Sequence, residues 1–213
     1  LLVAVHREVI KERTDVLLQA GLKPAIIDLD VFALMNAARL TNDLSAMGSI
    51  ALIDLGDSFT HVNILKNGSI GYTKDIPVGG GYCSTKLMSE YKIPFKQTHK
   101  IKGGYLPEGL KKEEAHGLIM RETKKILEEI RTSFDYFSCI SNSKVERILL
   151  SGGGCLIRGI EGFIGEFLKV PVEMLNPIQG VKINPKIFDQ EMINDWVGLS
   201  TVAIGLATRR FDH

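Results

Sequence analysis

The segment from Ile50 to Ile76 constrains the fold most, because apolar and polar residues alternate along it and Asn67-Gly68 interrupts it. Asn-Gly tolerates the positive φ angles of a type I′ turn, so the pattern predicts a β-hairpin. The apolar run before the hairpin, Ile50–Leu55, predicts another strand. We therefore expect three short strands in succession, of which Ser69–Ile76 is the third.

The turn between the first two of these strands carries the chemistry. It reads D-x-G-D-x-x-T-H, with Ser58 inside it; the spaced residues are Asp54, Gly56, Asp57, Thr60 and His61. A glycine lets backbone N–H groups approach a phosphate, two carboxylates can hold Mg²⁺ through water, and a hydroxyl adds a donor. The same letters also suit an ordinary turn rich in Asp, Gly and Ser, and on this segment alone both interpretations stay open.

Composition excludes several classes of protein. The chain has 213 residues, 45% of them hydrophobic, which is enough for one large or two small domains with a real core. A net charge of +1 with interspersed signs predicts neither a nucleic-acid surface nor a polybasic membrane patch. No apolar run reaches the roughly 18 residues of a membrane span, and no signal peptide is recognisable. Cys83, Cys139 and Cys155 have no C-x-x-C spacing and are interpreted as reduced thiols of a cytoplasmic protein.

The first 48 residues read as two strands that alternate with two helices. Leu1–Val5 and Pro24–Leu29 are short enough for strands, and the first helix is predicted from His6 to a stop at Gly21. Asp30 is predicted to cap the second helix.

Two glycine clusters follow strands. Gly79, Gly80 and Gly81 precede a predicted helix, Tyr82–Tyr91, and Gly152, Gly153 and Gly154 follow a predicted strand, Val145–Ser151. Such clusters can leave N–H groups free to hold an anion. Flexible turns have the same composition, so each cluster alone leaves both interpretations open.

Three further helices are predicted. Pro94–Gly104 reads as a short basic helix, and Lys111–Ile140 is the longest helical pattern, with an apolar stripe for the core. The last helix is predicted as Trp196–Arg210, capped by Asp195 and rich in small residues that suit very close packing.

The order of these features resembles the second half of the actin-like ATPase (ribonuclease H-like) α/β fold. IDLGDSFTHVNIL resembles its second phosphate loop, SGGGCLIRGI its adenosine motif, and TVAIGLATRR the terminal helix that returns to the first lobe. The resemblance implies a site for ATP or ADP with Mg²⁺. It implies phosphates over Asp54, Gly56, Asp57, Ser58, Thr60 and Gly79–Gly81, Mg²⁺ held by Asp54 through water, and adenine against Gly152–Gly154. His61 would orient a water.

Within this superfamily the chain resembles PilM-like proteins of type IV pilus assembly, which are related to FtsA and GspL. The likeness extends from LLVAVHREVIKERTDVLLQAGLKPAIIDLDVFAL to VPVEMLNP and the end segment. It implies an adaptor with weak ATPase activity at most. The adaptor would be cytoplasmic and held at the inner membrane by the N-terminal peptide of a PilN-like partner. It would couple to pilus motor ATPases and would not insert into the membrane itself.

The resemblance also implies boundaries within the chain. Residues 1–48 would be a partial first lobe (subdomain IC and part of IA), and 49–195 the second lobe (IIA with a small IIB insertion near 92–112). Residues 196–213 would be the returning helix. Lys102 would border the adenosine, with His99 where the family helix has a glutamate. A first phosphate loop is not recognisable in this sequence, so we expect a fragment with an incomplete, inactive site.

Two rival classes remain. A sugar or acetate kinase of the same superfamily would use Asp54 or Asp57 in phosphoryl transfer, but it needs an acceptor pocket with a catalytic base, which the sequence does not reveal. A division-type filament protein like FtsA shares the glycine motifs. The N-terminal segment favours the PilM-like class.

Overall fold

One five-stranded mixed sheet organises the chain in a computed structural model, which describes residues 3–107, 109–184 and 186–209. The strands are β1 (Ser49–Leu55), β2 (Thr60–Lys66), β3 (Ser69–Ile76), β4 (Arg147–Ser151) and β5 (Val172–Met174). Their order across the sheet is β3-β2-β1-β4-β5. The first three strands pair antiparallel, while β1–β4 and β4–β5 are parallel.

The helices surround this sheet. They are α1 (Arg7–Gln19), α2 (Asp30–Arg39), α3 (Gly80–Tyr91), α4 (Phe95–Lys102), α5 (Lys112–Ser141), α6 (Ile160–Leu168), α7 (Gln190–Leu199) and α8 (Thr201–Ala207). A short 3₁₀ turn, Gly153–Leu156, lies between β4 and α6.

The predicted hairpin is confirmed. Asn67 and Gly68 have φ angles of 51° and 76°, as a type I′ turn requires, and they join β2 to β3. Strand β1 begins one residue before the predicted Ile50 and ends at the predicted Leu55, and β3 begins at the predicted Ser69.

Strand β1 is buried on both faces. Ala51 and Ile53 point to a core beneath α3, α5 and α6, and Ile50 and Leu52 point to a second core beneath α2. A strand covered on both sides reads as a continuous apolar run, which is why the alternation is weakest there. The apolar stripe predicted for the long helix is confirmed, because α5 supplies much of the first core.

The prediction of one final helix starting at Trp196 is wrong. Helix α7 starts earlier, so position 195 lies inside it, and a break at Ser200 separates α7 from α8. The carbonyl of Gly198 accepts the N–H of Gly152 at 3.1 Å and the hydroxyl of Thr201 at 3.2 Å. Because this carbonyl accepts a hydrogen bond from a residue outside the helix, the regular series of backbone hydrogen bonds along the helix is interrupted. The predicted end at Arg210 lies outside the described residues.

Helix α8 packs directly on α2. A Cβ built on Gly205 would lie 1.8 Å from the carbonyl oxygen of Ala33, so the two backbones touch. Beside this contact Arg209 Nε lies 3.3 Å from the buried carboxylate of Asp28. The small-residue pattern thus corresponds to very close helix packing.

The two strands predicted near the N-terminus are not formed. Residues 3–5 and Pro24–Leu29 are irregular, while Leu1 and Leu2 lie outside the described residues. A strand needs a neighbour for its hydrogen bonds, and in the described sheet no strand lies beside these segments. Helix α1 follows the predicted pattern but buries no residue.

Across the described residues, no helix has both the length and the apolarity needed to cross a membrane.

Candidate functional site

The candidate site lies at the carboxyl ends of two parallel strands, β1 and β4. Asp54 near the end of β1 is paired with Ser151 at the end of β4, and on the other side with His61 of β2. Ligands of open α/β sheets commonly bind in the crevice beyond such strand ends. The turn that contains Gly56 and the glycine cluster Gly152–Gly154 therefore meet at one edge of the sheet.

A cavity of about 440 Å³ opens at this edge. Its size suits a small-molecule ligand. Eight of the predicted site residues line it: Asp54, Gly56, Asp57, Gly80, Lys102, Gly152, Gly153 and Gly154. His99, which the resemblance places at the glutamate position bordering the adenosine, lines it as well, and so do three residues that sequence reasoning did not place in the site: Leu156, Leu199 and Val202. Ser58, Thr60, His61, Gly79 and Gly81 are not part of this lining.

Asp54 is the partly buried carboxylate of the cavity. Its Oδ1 accepts a hydrogen bond of 2.9 Å from the hydroxyl of Ser151. Burial raises the pKa of Asp54 above its usual range, although the Ser151 hydrogen bond and nearby His61 act in the opposite direction. Ionised Asp54 is therefore costly to keep in this position unless a cation approaches it.

The turn after β1 presents backbone donors. Gly56 N–H donates to the carbonyl of Phe59 at 3.0 Å. Within the described structure the N–H groups of Asp57 and Ser58, by contrast, donate to no protein atom. Both residues are exposed. Such paired free N–H groups in a glycine-containing turn suit a phosphate oxygen.

In the glycine cluster Gly79–Gly81, the N–H groups of Gly80 and Gly81 are not free to hold an anion. Gly80 N–H donates to the carbonyl of Gly56 at 2.7 Å, and Gly81 N–H donates to the carbonyl of Asp57 at 2.8 Å. A Cβ built on Gly79 would lie 2.4 Å from the carbonyl oxygen of Gly56. Gly79 is required because the start of α3 packs against the turn after β1, whereas a Cβ on Gly80 would approach no atom closer than 3.6 Å.

Thr60 does not offer a free hydroxyl either. It is fully buried, and its Oγ1 donates to the carbonyl of Val78 at 2.8 Å. The bond fixes the segment between β3 and α3 against β2. Thr60 thus supports the site without reaching the cavity.

His61 lies between two carboxylates. Its Nδ1 is 2.7 Å from Asp75 Oδ1, and its Nε2 is 3.6 Å from Asp30 Oδ2. These three side chains line a separate cavity between α2 and strands β2 and β3. Sequence reasoning missed Asp30 and Asp75 as its partners, because no spacing rule relates them. The water-orienting role of His61 stays a prediction.

Lys102 is a buried cation on the cavity wall. Its Nζ donates to the carbonyl of Gly80 at 2.6 Å, and burial lowers its pKa, opposed by Cys83 and Asp57. His99, one helical turn earlier on α4, lies edge-on to the ring of Phe95 with ring centroids 4.9 Å apart. Helix α4 is thus tied to the start of α3 and forms one side of the cavity.

The glycine triplet forms the opposite side. Gly152 has a φ of 90°, and a Cβ there would lie 2.7 Å from Asp54 Oδ1. A Cβ on Gly154 would lie 2.3 Å from Leu55 side-chain atoms, whereas one on Gly153 would meet Leu199 Cδ2 at 3.3 Å. Gly152 and Gly154 are therefore required by the fold, and Gly153 is the member of the triplet whose Cβ position has room.

The residues of this site suit Mg²⁺ only when the phosphates of a bound nucleotide supply some of its ligands. Among the described residues no group of three His, Cys, Asp or Glu side chains could hold a metal ion. The cavity offers the carboxylates of Asp54 and Asp57. Mg²⁺ commonly binds one or two carboxylates, waters and substrate phosphates, and this donor set fits that pattern.

Comparison with known proteins places the chain in a family. The model of the family "Type IV pilus assembly protein PilM" matches residues 1–211. This chain belongs to the PilM family. Its similarity to the structure described as the PilM-PilN type IV pilus biogenesis complex has a TM-score of 0.80 at 23% identity, covering 94% of this chain and 57% of that chain.

Similarities to two further proteins agree with membership of the PilM family. MreB5 of Spiroplasma citri bound to ADP is similar with a TM-score of 0.64 at 18% identity, covering 96% of this chain and 65% of that chain. The cell division protein FtsA of Helicobacter pylori is 24% identical over 208 residues, which is 85% of this chain and 42% of that protein. The predicted actin-like ATPase fold is confirmed. The chain spans less than half the length of this curated relative.

Proposed function

We propose that this chain is the nucleotide-binding part of a PilM-type adaptor that docks a membrane partner. The observation that carries the proposal is the cavity in which two glycine-containing turns distant in sequence, a partly buried carboxylate and a buried lysine converge. Nucleotide binding is further supported by the likeness to MreB5, whose structure is described as bound to ADP.

The two sides of the cavity suit different parts of a nucleotide. The exposed N–H groups of Asp57 and Ser58 are the donors for phosphate oxygens. Gly153 and the apolar side chains of Leu156 and Leu199 provide an apolar surface for adenine. Mg²⁺, when bound with the phosphates, neutralises their charge, and Asp54 is the carboxylate placed to approach it through water.

A binding role is favoured over phosphoryl transfer. A kinase needs a base beside an acceptor pocket, and the only carboxylates lining the described cavity are Asp54 and Asp57. Both lie where phosphate and cation are proposed to bind. Hydrolysis would therefore be weak at most, with His61 as the candidate for orienting water.

The docking surface is proposed on residues 3–29. Helix α1 buries none of its residues, and the segment exposes large apolar side chains: Val3, Val5, Val9, Val16, Leu17, Leu18, Leu22 and Ile27. An exposed apolar surface of this extent is typical of an interaction site. The partner proposed is the N-terminal cytoplasmic peptide of a PilN-like membrane protein, as the PilM-PilN complex suggests. The same docking would hold the protein at the inner membrane.

The nucleotide proposal is tested by Gly153→Ala. The added methyl group would point toward the adenine side but meet only the flexible end of Leu199 at 3.3 Å. We expect the melting temperature to stay within about 3 °C of wild type and the affinity for Mg·ADP to fall at least about tenfold, as overpacking a contact surface costs about 1–3 kcal/mol. The affinity of wild type and of Gly153→Ala for Mg·ADP is measured by calorimetry, or by NMR titration if it is millimolar.

The control for this variant is Gly162→Ala, because a Cβ built there meets no atom within 4 Å. It should leave nucleotide affinity unchanged. If Gly153→Ala binds Mg·ADP as well as wild type does, adenine does not lie against the glycine triplet.

The docking proposal is tested by placing charge on the exposed apolar surface. Val16 and Ile27 are 64% and 60% exposed, so Val16→Asp with Ile27→Asp should not alter the core. We expect at least about a tenfold loss of affinity for the fluorescently labelled partner peptide, since a buried unpaired charge is costly. Anisotropy titration measures it.

Ile140→Asp is the control, because Ile140 on α5 is 55% exposed and distant in sequence from the docking surface. Undiminished peptide binding by the double variant would place the partner site elsewhere.

A further inference from the structure

His61 has an aspartate opposite it on each neighbouring strand. On the face of the sheet that α2 covers, it is paired with Asp54 of β1 on one side and with Asp75 of β3 on the other. Directly opposite residues of antiparallel strands have Cβ atoms about 4.5–5.5 Å apart. The imidazole can therefore turn toward Asp54, at the nucleotide cavity, or toward Asp75, away from it.

The structure shows the second orientation. His61 Nδ1 lies 2.7 Å from Asp75 Oδ1, within hydrogen-bond distance, whereas Nε2 lies 3.6 Å from Asp30 Oδ2, too far for a hydrogen bond. Among the described residues no ion pair joins His61 to Asp54, whose Oδ1 accepts the hydroxyl of Ser151 instead. His61 and Asp75 line a cavity of about 310 Å³ whose lining does not include Asp54.

The contact with Asp75 determines which ring nitrogen of His61 carries a proton. An ionised carboxylate accepts hydrogen bonds and cannot donate them, so the Nδ1 that is bonded to Asp75 is protonated. In the neutral ring Nε2 is then the acceptor, and it faces Asp30 rather than the nucleotide cavity. In this orientation His61 presents no acceptor to a water beside the proposed phosphates.

We propose that Asp75 is a positioning residue that holds His61 outside the nucleotide cavity and thereby keeps ATP hydrolysis slow. The proposal rests on the proposed nucleotide binding and gives a cause for weak hydrolysis. In hydrolysis the oxygen of a water bonds to the γ-phosphorus and the bond to the ADP oxygen breaks. One proton of the water stays on the released phosphate and the other passes to solvent. An imidazole turned toward Asp54 would accept a hydrogen bond from that water and orient it.

The experiment removes the acceptor with Asp75→Ala, which should preserve the fold because the Asp75 side chain is 63% exposed. We expect kcat for Mg·ATP hydrolysis to rise at least about fivefold, a small part of what a well-placed proton acceptor contributes. KM should stay within about twofold of wild type, because the substitution leaves ground-state binding unchanged. His61→Ala combined with Asp75→Ala should abolish the gain. Asp75→Glu retains a carboxylate and should hydrolyse as slowly as wild type.

Glu173→Ala is the matched control. It also removes an exposed carboxylate from an edge strand, where Glu173 forms a cross-strand ion pair of 3.1 Å with Arg147. Glu173 does not line the nucleotide cavity, so kcat should equal that of wild type.

A second measurement observes the imidazole directly. Nitrogen-15 NMR of the whole chain, at a pH at which the ring is neutral, should show Nδ1 of His61 as the protonated nitrogen. Asp75→Ala should lose this preference, because the acceptor that imposes it is gone.

The outcomes separate the proposal from the function on which it rests. Wild type that does not bind Mg·ATP overturns both. Wild type that binds Mg·ATP, with an Asp75→Ala variant that hydrolyses it no faster, overturns the role of Asp75 and leaves nucleotide binding intact. An equal gain in the double variant or in Glu173→Ala contradicts the proposal, because the gain then does not depend on His61. A neutral His61 ring protonated at Nε2 in wild type also overturns the proposal, whether or not the variants fold.

Discussion

Gly205→Ala is expected to lower the melting temperature by about 6–12 °C, corresponding to about 3 kcal/mol in a chain of this size. The new methyl group would lie 1.8 Å from the carbonyl oxygen of Ala33, and backbone cannot yield as a side chain can. Helices α2 and α8 would have to separate. That separation would also strain the ion pair between Asp28 and Arg209 and the hydrogen bond from Asn63 Nδ2 to the carbonyl of Val31.

Thermal unfolding followed by circular dichroism measures this effect. Gly162→Ala in α6 is the control, because the same change there meets no atom within 4 Å and removes a glycine from a helix. It should be neutral or stabilising by up to about 1 kcal/mol. A Gly205→Ala protein that melts within 2 °C of wild type, on the order of 1 kcal/mol, would contradict the close contact of α2 and α8.

Asp54→Asn is expected to stabilise the protein and to weaken its binding of Mg·nucleotide. Burial raises the pKa of Asp54 in the folded chain, so the folded state holds this proton more tightly than the unfolded state. The free energy of unfolding therefore falls as pH rises through the folded pKa. Asparagine retains an oxygen for Ser151 and removes the ionisation, so at pH 7 we expect a melting temperature about 2–4 °C higher.

The pH dependence identifies the cause. The difference in the free energy of unfolding between Asp54→Asn and wild type should reach its full size above the folded-state pKa of Asp54. It should vanish below the unfolded-state pKa of about 3.9. Affinity for Mg·ADP should fall about ten- to a hundredfold. Asp57→Asn serves as the stability control, because Asp57 is exposed and its change should leave the melting temperature unaltered. A destabilised Asp54→Asn with a pH-independent difference would contradict this account.

Sequence reasoning was most successful where a contact is local. The type I′ turn at Asn67-Gly68 depends on two residues that tolerate positive φ, and the hairpin register follows from it. It failed for Pro24–Leu29, because composition records the ability to form a strand but not whether a neighbouring strand exists.

In the candidate site, too, some features can be predicted from the sequence and others depend on contacts between distant segments. The residue types at Asp54, Asp57 and Gly152–Gly154 are readable, and the structure brings them to one cavity. Leu156 and Leu199 carry no recognisable spacing, and they join the cavity only because the 3₁₀ turn and α7 converge there. Their contribution could not be predicted from any single segment.

By itself the sequence determined the elements whose bonds are made between near neighbours in the chain, and the chemical groups available at each corner. Only the tertiary structure decided which of those groups remain free. The N–H groups of Gly80 and Gly81 and the hydroxyl of Thr60 are consumed by carbonyls of other segments. The carbonyl of Gly198 bonds Gly152 and interrupts the last helix. Each donor or acceptor has a limited number of bonds, and a partner distant in sequence becomes available only when the chain is folded.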